Sequence, residues 1–591
     1  MQRRCLAPLA AFTACLVLAL PAVAASPAPI AGREGMVVTA QHLASQVGAD
    51  ILRQGGNAVD AAVAVGYALA VVMPAAGNLG GGGFMTLRLP DGQAHFIDFR
   101  EKAPLAATSG MFLDRAGNLV PGASENSWLA VGVPGTPAGL EYASSHFGSL
   151  PRATLMAPAI ALARDGFELA PGDVAITSTA ASRLARDPSA SSLLLDQAGR
   201  PRQPGERLVQ PALAASLEAI ALNGPEAAMY EGPIGKAIVA AARAGGGILS
   251  EADFATYKVR EFEPITCDYR GYHVIAPPPP SSGGVAICET LNILGGYDLA
   301  ALGYRSAPEV HFLIEAMRRA YVDRNTQLGD PDFVDNPTSL LLDPLYAAKL
   351  RATIDPLRAT PSRDLGPATP QHEGSNTTHY SIVDKDGMAV AVTYTLNSWF
   401  GIAKIAGSTG IFMNNEMDDF TTKPGTPNAY GLVQGEANAI APGKTPLSSM
   451  SPTIVTKDGT LKLVLGSPGG ARIITITLLA ILNMVDHGMS VQEAIDAPRL
   501  HEQWLPDTVY LEPFALSPDT RAILEQRGHH FTDSAPWGMA EAIVTGAPTL
   551  TKASPGNAAN SLPLGQAPAA GATLFGAHDS RGSMGRAIGV P

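Results

Sequence analysis

The sequence predicts an α/β fold in which apolar helices pack against antiparallel strands. Hydrophobic residues occupy 46% of the 591 positions and charged residues 16%, a composition typical of a globular protein with a large buried core. Asn57, a favoured N-cap residue, precedes small and apolar residues at 58–72, and Asp60 falls in the first turn, where the helix dipole favours an acid. Two alternating segments, 377–383 and 388–396, flank a turn sequence and predict a β-hairpin.

The register of this hairpin follows from its turn. The turn sequence at 384–387 ends in a glycine, which can adopt the positive φ that tight hairpin loops require. If the loop is three residues long, pairing resumes at Met388, and counting outward places Thr377 directly opposite Thr395. The sequence therefore predicts two facing hydroxyl groups at the open end of the hairpin.

The junction between Asn376 and Thr377 is a candidate site of chemistry. A threonine hydroxyl is a weak nucleophile unless a base lies beside it. Cleavage of this peptide bond would give Thr377 a free α-amino group with a pKa of roughly 7.7 to 8, able to accept the hydroxyl proton near neutral pH. Taken alone, a Thr-Thr pair here is much more typical of an ordinary strand.

Further motifs are distributed over nearly the whole chain after residue 30. They lie, in order, at 35–38, 55–60, 77–84, 98–101, 281–284, 329–333, 377–381, 414–420, 446–453 and 466–470. On these residues the chain resembles the γ-glutamyltransferases, or γ-glutamyltranspeptidases, which are N-terminal-nucleophile hydrolases that cut themselves into two subunits. The resemblance implies a four-layer αββα fold, with a large subunit at 25–376 and a small catalytic subunit at 377–591.

The resemblance also implies a catalytic centre. Cleavage between Asn376 and Thr377 would expose Thr377 as the nucleophile, and Thr395 would hold its hydroxyl. The backbone N–H groups of Gly469 and Gly470 would stabilise the oxyanion. Without the resemblance, the Gly-Gly pair after Pro468 is typical of a simple turn.

A donor pocket is implied as well. Its guanidinium, Arg100, would bind the α-carboxylate of a γ-glutamyl group, whereas the same residue read alone predicts a surface ion pair with Asp98 or Glu101. The other implied pocket residues are Ser448 and Ser449 for the carboxylate, Asn397, Glu416 and Asp419 for the α-ammonium, and Tyr430 on a lid loop. Glu416 stands where many bacterial members of the family carry Gln, which adds negative charge near the ammonium.

The function implied is γ-glutamyl transfer from glutathione and other γ-glutamyl amides to water, amino acids or dipeptides, through a γ-glutamyl-threonine ester. One alternative is a β-lactam (glutaryl) acylase of the same fold, and another is a non-catalytic secreted binding protein. We expect no cofactor and no metal, because no Cys or His spacing fits a zinc site. The net charge of −12 provides no basic face for nucleic acid.

Residues 1–24 have the charged start, apolar middle and small-residue end of a secretory signal peptide. We therefore expect a periplasmic or secreted protein without a stable membrane anchor; a transmembrane anchor at this segment is the alternative. In the oxidising compartment that this implies, Cys267 and Cys288 are able to pair, but two cysteines form no disulfide framework, and free buried thiols are favoured.

Three other segments have a local interpretation. The glycine run at 80–83 lacks the Gly-Lys-Ser/Thr of a phosphate loop and indicates tight backbone packing. The pair Ser281-Ser282 offers a possible serine nucleophile but has no elbow motif around it. The segment 546–572 is rich in Ala, Pro, Gly and Ser and predicts a flexible surface loop.

Overall fold

The computed structural model describes residues 26–366, 376–423, 435–551 and 573–591. The predicted signal peptide at 1–24, the predicted lid residue Tyr430 and most of the predicted loop at 546–572 lie outside these residues. None of the described helices combines the length and apolarity that are needed to cross a bilayer.

In chain order, the strands of the described residues are β1 (Ile30–Gly32), β2 (Gly35–Thr39), β3 (Gly82–Arg88), β4 (Ala94–Asp98), β5 (Phe167–Glu168), β6 (Arg207–Leu208), β7 (Arg260–Phe262), β8 (Ile265–Tyr269), β9 (Tyr272–Ala276), β10 (Thr377–Asp384), β11 (Ala389–Thr395), β12 (Thr453–Lys457), β13 (Thr460–Gly466), β14 (Leu500–His501), β15 (Val509–Leu511), β16 (Phe531–Asp533), β17 (Glu541–Thr545), β18 (Leu574–His578) and β19 (Arg586–Val590).

The helices of the same residues are α1 (His42–Arg53), α2 (Ala58–Val72), α3 (Ala123–Asn126), α4 (Thr136–Phe147), α5 (Arg152–Asp165), α6 (Pro171–Leu184), α7 (Pro188–Leu194), α8 (Pro211–Pro225), α9 (Pro233–Ala244), α10 (Glu251–Ala255), α11 (Gly283–Leu294), α12 (Leu299–Leu302), α13 (Ala307–Gln327), α14 (Thr338–Leu341), α15 (Pro344–Ala352), α16 (Ile473–Val485), α17 (Val491–Asp496) and α18 (Pro518–Gln526).

Two seven-stranded sheets form the centre of the molecule. One, the first sheet, has the order β19-β2-β10-β11-β3-β4-β7, and the other, the second sheet, has the order β1-β18-β17-β13-β12-β9-β8. Side chains such as Val38, Ala391 and Val464 pack between them. Helices α1 and α2 cover the outer face of the first sheet, and α11, α13 and α16 cover that of the second sheet. The layers therefore run helix, sheet, sheet, helix, as the resemblance implied.

The predicted capped helix is confirmed as α2. The Asn57 side chain accepts a hydrogen bond from the Asp60 N–H, and the Asp60 carboxylate accepts one from the Asn57 N–H. Every residue of α2 is buried, because its small side chains allow it to approach both the sheet and α5 closely. The Asp384 carboxylate also accepts a hydrogen bond from Ala58 N–H at 2.9 Å, which ties the hairpin turn to the start of the helix.

The predicted hairpin is confirmed with its register. Strands β10 and β11 are antiparallel, and Thr377 is paired with Thr395. The Asp384 N–H donates to Met388 O, closing the three-residue loop. The glycine run at 80–83 packs tightly, as predicted: a Cβ on Gly81 would lie 2.0 Å from the Thr395 carbonyl oxygen.

The prediction of free thiols was wrong. Cys267 in β8 and Cys288 in α11 form a disulfide. Helix α11 crosses the outer face of the second sheet next to β8, which brings two residues that are 21 apart in sequence to a Cα separation of 5.8 Å. Their pairing depends on how the helix lies on the sheet, which residue spacing does not reveal.

Candidate active site

Thr377 is the first residue of β10, and its side chain faces the second sheet. Because side chains alternate along a strand, Thr377 shares its face with Ser381 and Val383, which contact that sheet. Its neighbour Thr378 points to the opposite face, where its hydroxyl contacts Met73 Sδ at 3.7 Å. The alternation therefore directs the Thr377 hydroxyl into the space between the sheets, where it is buried.

Thr395 links three groups around the Asn376-Thr377 junction. Its Oγ1 accepts a hydrogen bond from Thr377 Oγ1 at 3.3 Å and one from the Asn397 N–H at 2.8 Å. The same hydroxyl donates to the carbonyl oxygen of Asn376 at 3.0 Å. Asn397 has a φ of +72°, a conformation that is uncommon for residues other than glycine and that is often found at functional sites.

Gly469 and Gly470 follow β13 of the second sheet and lie at the same end of the molecule. Their φ values are +149° and +57°, and the first of these is accessible essentially only to glycine. Neither N–H donates a hydrogen bond within the described part of the chain. Two backbone donors therefore remain available, and Gly470 lines the same pocket as Thr377. Adjacent backbone donors of this kind are able to stabilise an oxyanion.

Arg100 is buried and binds two carboxylates. Its Nη1 donates to Glu416 Oε1 and its Nη2 to Asp419 Oδ2, each at 2.5 Å, while Nε donates to Pro446 O at 3.2 Å. A third acid, Glu101, lies 3.9 Å from Nη1. The alternative of a surface ion pair is therefore wrong, because this network is buried.

Asp98, the other partner weighed for Arg100, binds a different guanidinium. Its Oδ2 accepts hydrogen bonds from Nε and Nη2 of Arg260, at 3.0 and 2.7 Å. Its Oδ1 accepts the Arg100 backbone N–H at 2.9 Å. Asp98 thus binds the main chain of Arg100, whereas the side chain of Arg100 lines the pocket.

Burial and neighbouring charges shift the pKa values of Arg100, Glu101 and Glu416. Burial raises the pKa of Glu101 to about 7, although Arg100 opposes the shift. Burial also raises the pKa of Glu416 well above its usual value, against the same guanidinium and with the help of the Glu101 charge. Burial lowers the pKa of Arg100, but Glu416 and Asp419 outweigh it and the net shift is upward. Arg100 is therefore permanently charged, whereas Glu101 and Glu416 hold protons more readily than ordinary carboxyl groups do.

The serine segment 448–449 lies beside the pair Ser281-Ser282. The hydroxyls of Ser281 and Ser282 donate to Met450 O and Ser448 O, each at 2.7 Å. Since both hydroxyls are engaged with backbone carbonyls, the alternative of a serine nucleophile at 281–282 finds no support. These serines instead brace the segment that carries Ser448 and Ser449.

One buried residue of the site was missed by the sequence analysis. Arg324, near the end of α13, donates from Nη2 to Ser449 Oγ at 3.0 Å and from Nε to Ser282 Oγ at 2.9 Å. In the sequence it is one of several arginines on a charged helical stretch, and nothing local distinguishes it from a solvated residue.

These residues converge on one pocket. Of the residues predicted for the site, nine line it: Arg100, Thr377, Thr395, Asn397, Glu416, Asp419, Ser448, Ser449 and Gly470. Arg324 lines it too. Gly469 instead lines a wider neighbouring cleft, together with apolar residues that include Trp399, Trp537 and Met539. The two glycines therefore mark the boundary between a polar pocket and a largely apolar cleft.

The charged residues that line this cleft are all engaged in hydrogen bonds within the protein. Arg581 donates to Glu512 and to Asp579, and Asp496 accepts hydrogen bonds from Ser580. Phe514 at the rim is 94% exposed and has a φ of +65°. The surface that the cleft offers to a ligand is thus mainly aromatic and aliphatic.

Comparisons with known proteins agree with this geometry. A family model described as gamma-glutamyltranspeptidase matches residues 44–559. The glutathione hydrolase proenzyme of Pseudomonas sp. (strain A14) is 57% identical over 566 residues, which cover 96% of each chain. That of Escherichia coli (strain K12) is 49% identical over 519 residues, 88% of this chain and 89% of the relative. Among solved structures, a cephalosporin acylase from Bacillus halodurans has a TM-score of 0.80 at 26% identity, covering 96% of this chain and 98% of its own.

Proposed function

The chain belongs to the γ-glutamyltranspeptidase family, and from this premise we propose that it transfers γ-glutamyl groups from glutathione and related amides to water or to amines. The observation that carries the proposal is the placement of Thr377 and Thr395 face to face in a buried pocket that also holds Arg100 and its acids. A hydroxyl nucleophile, oxyanion donors and groups for a zwitterionic head group are thereby combined in one site.

Maturation is the first step that we propose. Thr377 Oγ1 attacks the carbonyl carbon of Asn376, the peptide C–N bond breaks, and the Thr377 nitrogen takes up a proton and becomes a free amine. Water then hydrolyses the resulting ester, which separates residues 25–376 from 377–591. The hydrogen bond from Thr395 to Asn376 O supports this step, because it draws electron density from the carbonyl that is attacked.

Acyl transfer then uses the amine that cleavage releases. The α-amine of Thr377 accepts the hydroxyl proton, Oγ1 forms an ester with the γ-carbonyl carbon, and the proton passes to the departing amine of cysteinylglycine. The N–H groups of Gly469 and Gly470 would stabilise the oxyanion, and each such donor typically lowers the barrier by about 3 to 4 kcal/mol. Water or a second amine next attacks the ester and regenerates Thr377.

The distribution of charge supports a γ-glutamyl donor over a glutaryl one. A glutaryl group has a carboxylate but no ammonium, so it gives the acids at Glu101, Glu416 and Asp419 nothing to bind. A γ-glutamyl group has both, and its ammonium would compensate the negative charge around Arg100. We assign the α-ammonium to Asp419, Glu416 and Asn397, and the α-carboxylate to Arg100, Ser448 and Ser449.

The neighbouring apolar cleft would receive the other side of the scissile bond. It begins at Gly469, one residue from the pocket lining, so a bond cut beside the oxyanion donors would have its acyl part in the pocket and its amine part in the cleft. We extend the proposal to amino acid and dipeptide acceptors on this basis. The disulfide supports the proposed export to the periplasm or beyond, because such bonds persist in oxidising compartments.

The experiment compares Thr377→Ala with Thr378→Val, a matched change on the opposite face of the same strand. We expect Thr377→Ala to stay one chain and to leave γ-glutamyl-p-nitroanilide unhydrolysed, whereas Thr378→Val is processed and active. Sequencing from the amino terminus of the small subunit should begin at Thr377. An active, uncut parent protein, or faster turnover of glutaryl-7-aminocephalosporanic acid than of the γ-glutamyl substrate, would contradict the proposal.

A further inference from the structure

Arg324 is a buried cation in the pocket without a carboxylate partner among the described residues. Its side chain is 1% exposed and donates three hydrogen bonds, all to neutral oxygens: Nε to Ser282 Oγ, Nη1 to Asn325 Oδ1 at 2.9 Å and Nη2 to Ser449 Oγ. Burial of an ionised group without a counter-charge is costly. A fold that keeps such a residue in a binding pocket supplies a positive charge for an anion that arrives from outside.

The other buried arginines of the same helix show that this is not a general property of α13. Arg318 contacts Glu315, Glu502 and Asp507, and Arg319 contacts Glu315 at 2.7 Å. Both are neutralised within the protein, and neither lines the pocket. Arg324 differs in both respects.

The charge of Arg324 persists under ordinary conditions. Burial lowers the pKa of its guanidinium to about 10, and the nearby charge of Arg100 acts in the same direction, whereas Tyr321 and Asp419 oppose the shift. Even so, the group is protonated at neutral pH. It therefore presents a fixed charge and not a proton donor for the reaction.

We propose that Arg324 is a positioning residue that selects donors with an α-carboxylate, by holding Ser449 and by placing a second positive charge at that end of the pocket. The inference deepens the proposed function and rests on it. Because Ser449 Oγ accepts a hydrogen bond from the guanidinium, its own proton is free to be donated to a carboxylate oxygen. Arg100 alone is poorly suited to supply the charge, since Glu416 and Asp419 already bind both of its terminal nitrogens.

The same geometry gives the Ser281-Ser282 motif a role. The Ser282 hydroxyl donates to Ser448 O and accepts from Arg324 Nε, so it joins the guanidinium to the segment that carries Ser448 and Ser449. Hydrogen bonds thus link the segments 281–282 and 448–449 and helix α13 around the proposed carboxylate site.

The test measures kcat/KM for two chromogenic donors that differ only at the α-carbon. γ-Glutamyl-p-nitroanilide has the α-carboxylate, and 4-aminobutyryl-p-nitroanilide lacks it. We expect Arg324→Gln to lower kcat/KM for the first donor by 10- to 100-fold, mainly through KM, and to leave the second within threefold. The ratio between the donors should therefore fall by at least about threefold. Arg351→Gln is the control, because Arg351 also donates only to neutral oxygens but lies outside the pocket, and its ratio should not change.

A second variant keeps the test decisive if Arg324→Gln does not mature. Arg324→Lys retains the charge but loses the fork that spans Ser282 and Ser449, so we expect the ratio to fall by three- to tenfold. An unchanged ratio in Arg324→Lys, or equal losses for both donors in Arg324→Gln, would overturn the role of Arg324 and leave the proposed function standing. A mature parent protein without activity on γ-glutamyl-p-nitroanilide would overturn the proposed function, and this inference with it.

Discussion

Thr395 Oγ1 stands between the hydroxyl of Thr377, at 3.3 Å, and the carbonyl oxygen of Asn376, at 3.0 Å. One side chain thus contacts both the attacking group of the proposed self-cleavage and the carbonyl that is attacked. The contact exists because Thr377 and Thr395 are directly paired across two antiparallel strands. Cleavage and turnover should therefore share a dependence on this hydroxyl.

We expect Thr395→Val to slow both the appearance of the small subunit and kcat by about 10- to 100-fold, since a hydrogen bond of this kind contributes about 1 to 3 kcal/mol. Thr395→Ser keeps the hydroxyl and should restore most of both rates. A time course on denaturing gels measures the cleavage, and p-nitroaniline release measures turnover. Normal processing in Thr395→Val would exclude the proposed role in maturation.

The acid Glu101 should make anion binding depend on pH. Its pKa is raised to about 7, so it is neutral below that pH and negative above it. The charge that forms above pH 7 lies beside Arg100 and repels a carboxylate. Inhibition by glutarate, which has no ammonium, should therefore weaken by about three- to tenfold between pH 6 and pH 8.

In Glu101→Gln the part of this dependence that is centred near pH 7 should disappear. The Thr377 amine also titrates in this range, so the comparison with the parent protein is the decisive one. The exposed Glu251→Gln is the matched control. Identical inhibition profiles for Glu101→Gln and the parent protein would contradict the assignment.

Glu289 in α11 should make the folded protein less stable as pH rises. Its carboxyl is fully buried, and burial, with the charge of Asp323, raises its pKa well above the usual value. A carboxyl whose pKa is higher in the folded state than in the unfolded state makes its full contribution to the free energy of unfolding below the unfolded-state pKa. That contribution falls by about 1.4 kcal/mol per pH unit as pH rises from the unfolded-state pKa toward the folded-state pKa.

Glu289→Gln removes this titration. We expect its melting temperature to exceed that of the parent protein by several degrees at pH 8 and to differ little at pH 4.5. Thermal unfolding at the two pH values measures the effect, with the exposed Glu218→Gln as control. A melting temperature lower than that of the parent protein at both pH values would refute the expectation.

The disulfide between Cys267 and Cys288 should stabilise the second sheet without contributing to catalysis. Linking residues 21 apart typically adds about 2 to 4 kcal/mol to the free energy of unfolding. The double variant Cys267→Ala, Cys288→Ala should therefore melt at a lower temperature and keep its kcat. Dithiothreitol should lower the melting temperature of the parent protein only. Equal sensitivity of both proteins to the reductant would show that the bond does not contribute.

Helix α2 and the hairpin of β10 and β11 were predictable because their signals are local. The capping pair Asn57 and Asp60 and the turn at 384–387 act over three or four residues, so the helix and the hairpin follow directly from the chain. The grouping of Arg100, Asp419 and the serines came from the family resemblance. No local rule connects those residues, because each reaches the pocket from a different element.

By itself, the sequence determined the hairpin register that sets Thr377 against Thr395, since alternation and turn length are properties of neighbouring residues. Only the tertiary structure decided that Arg324 lines the pocket with no carboxylate partner in the described part of the chain, that Glu101 joins the acids around Arg100, and that Cys267 meets Cys288. Each of these depends on how a helix or loop lies against a sheet formed by distant segments. The packing of whole layers sets those distances, and residue spacing does not encode them.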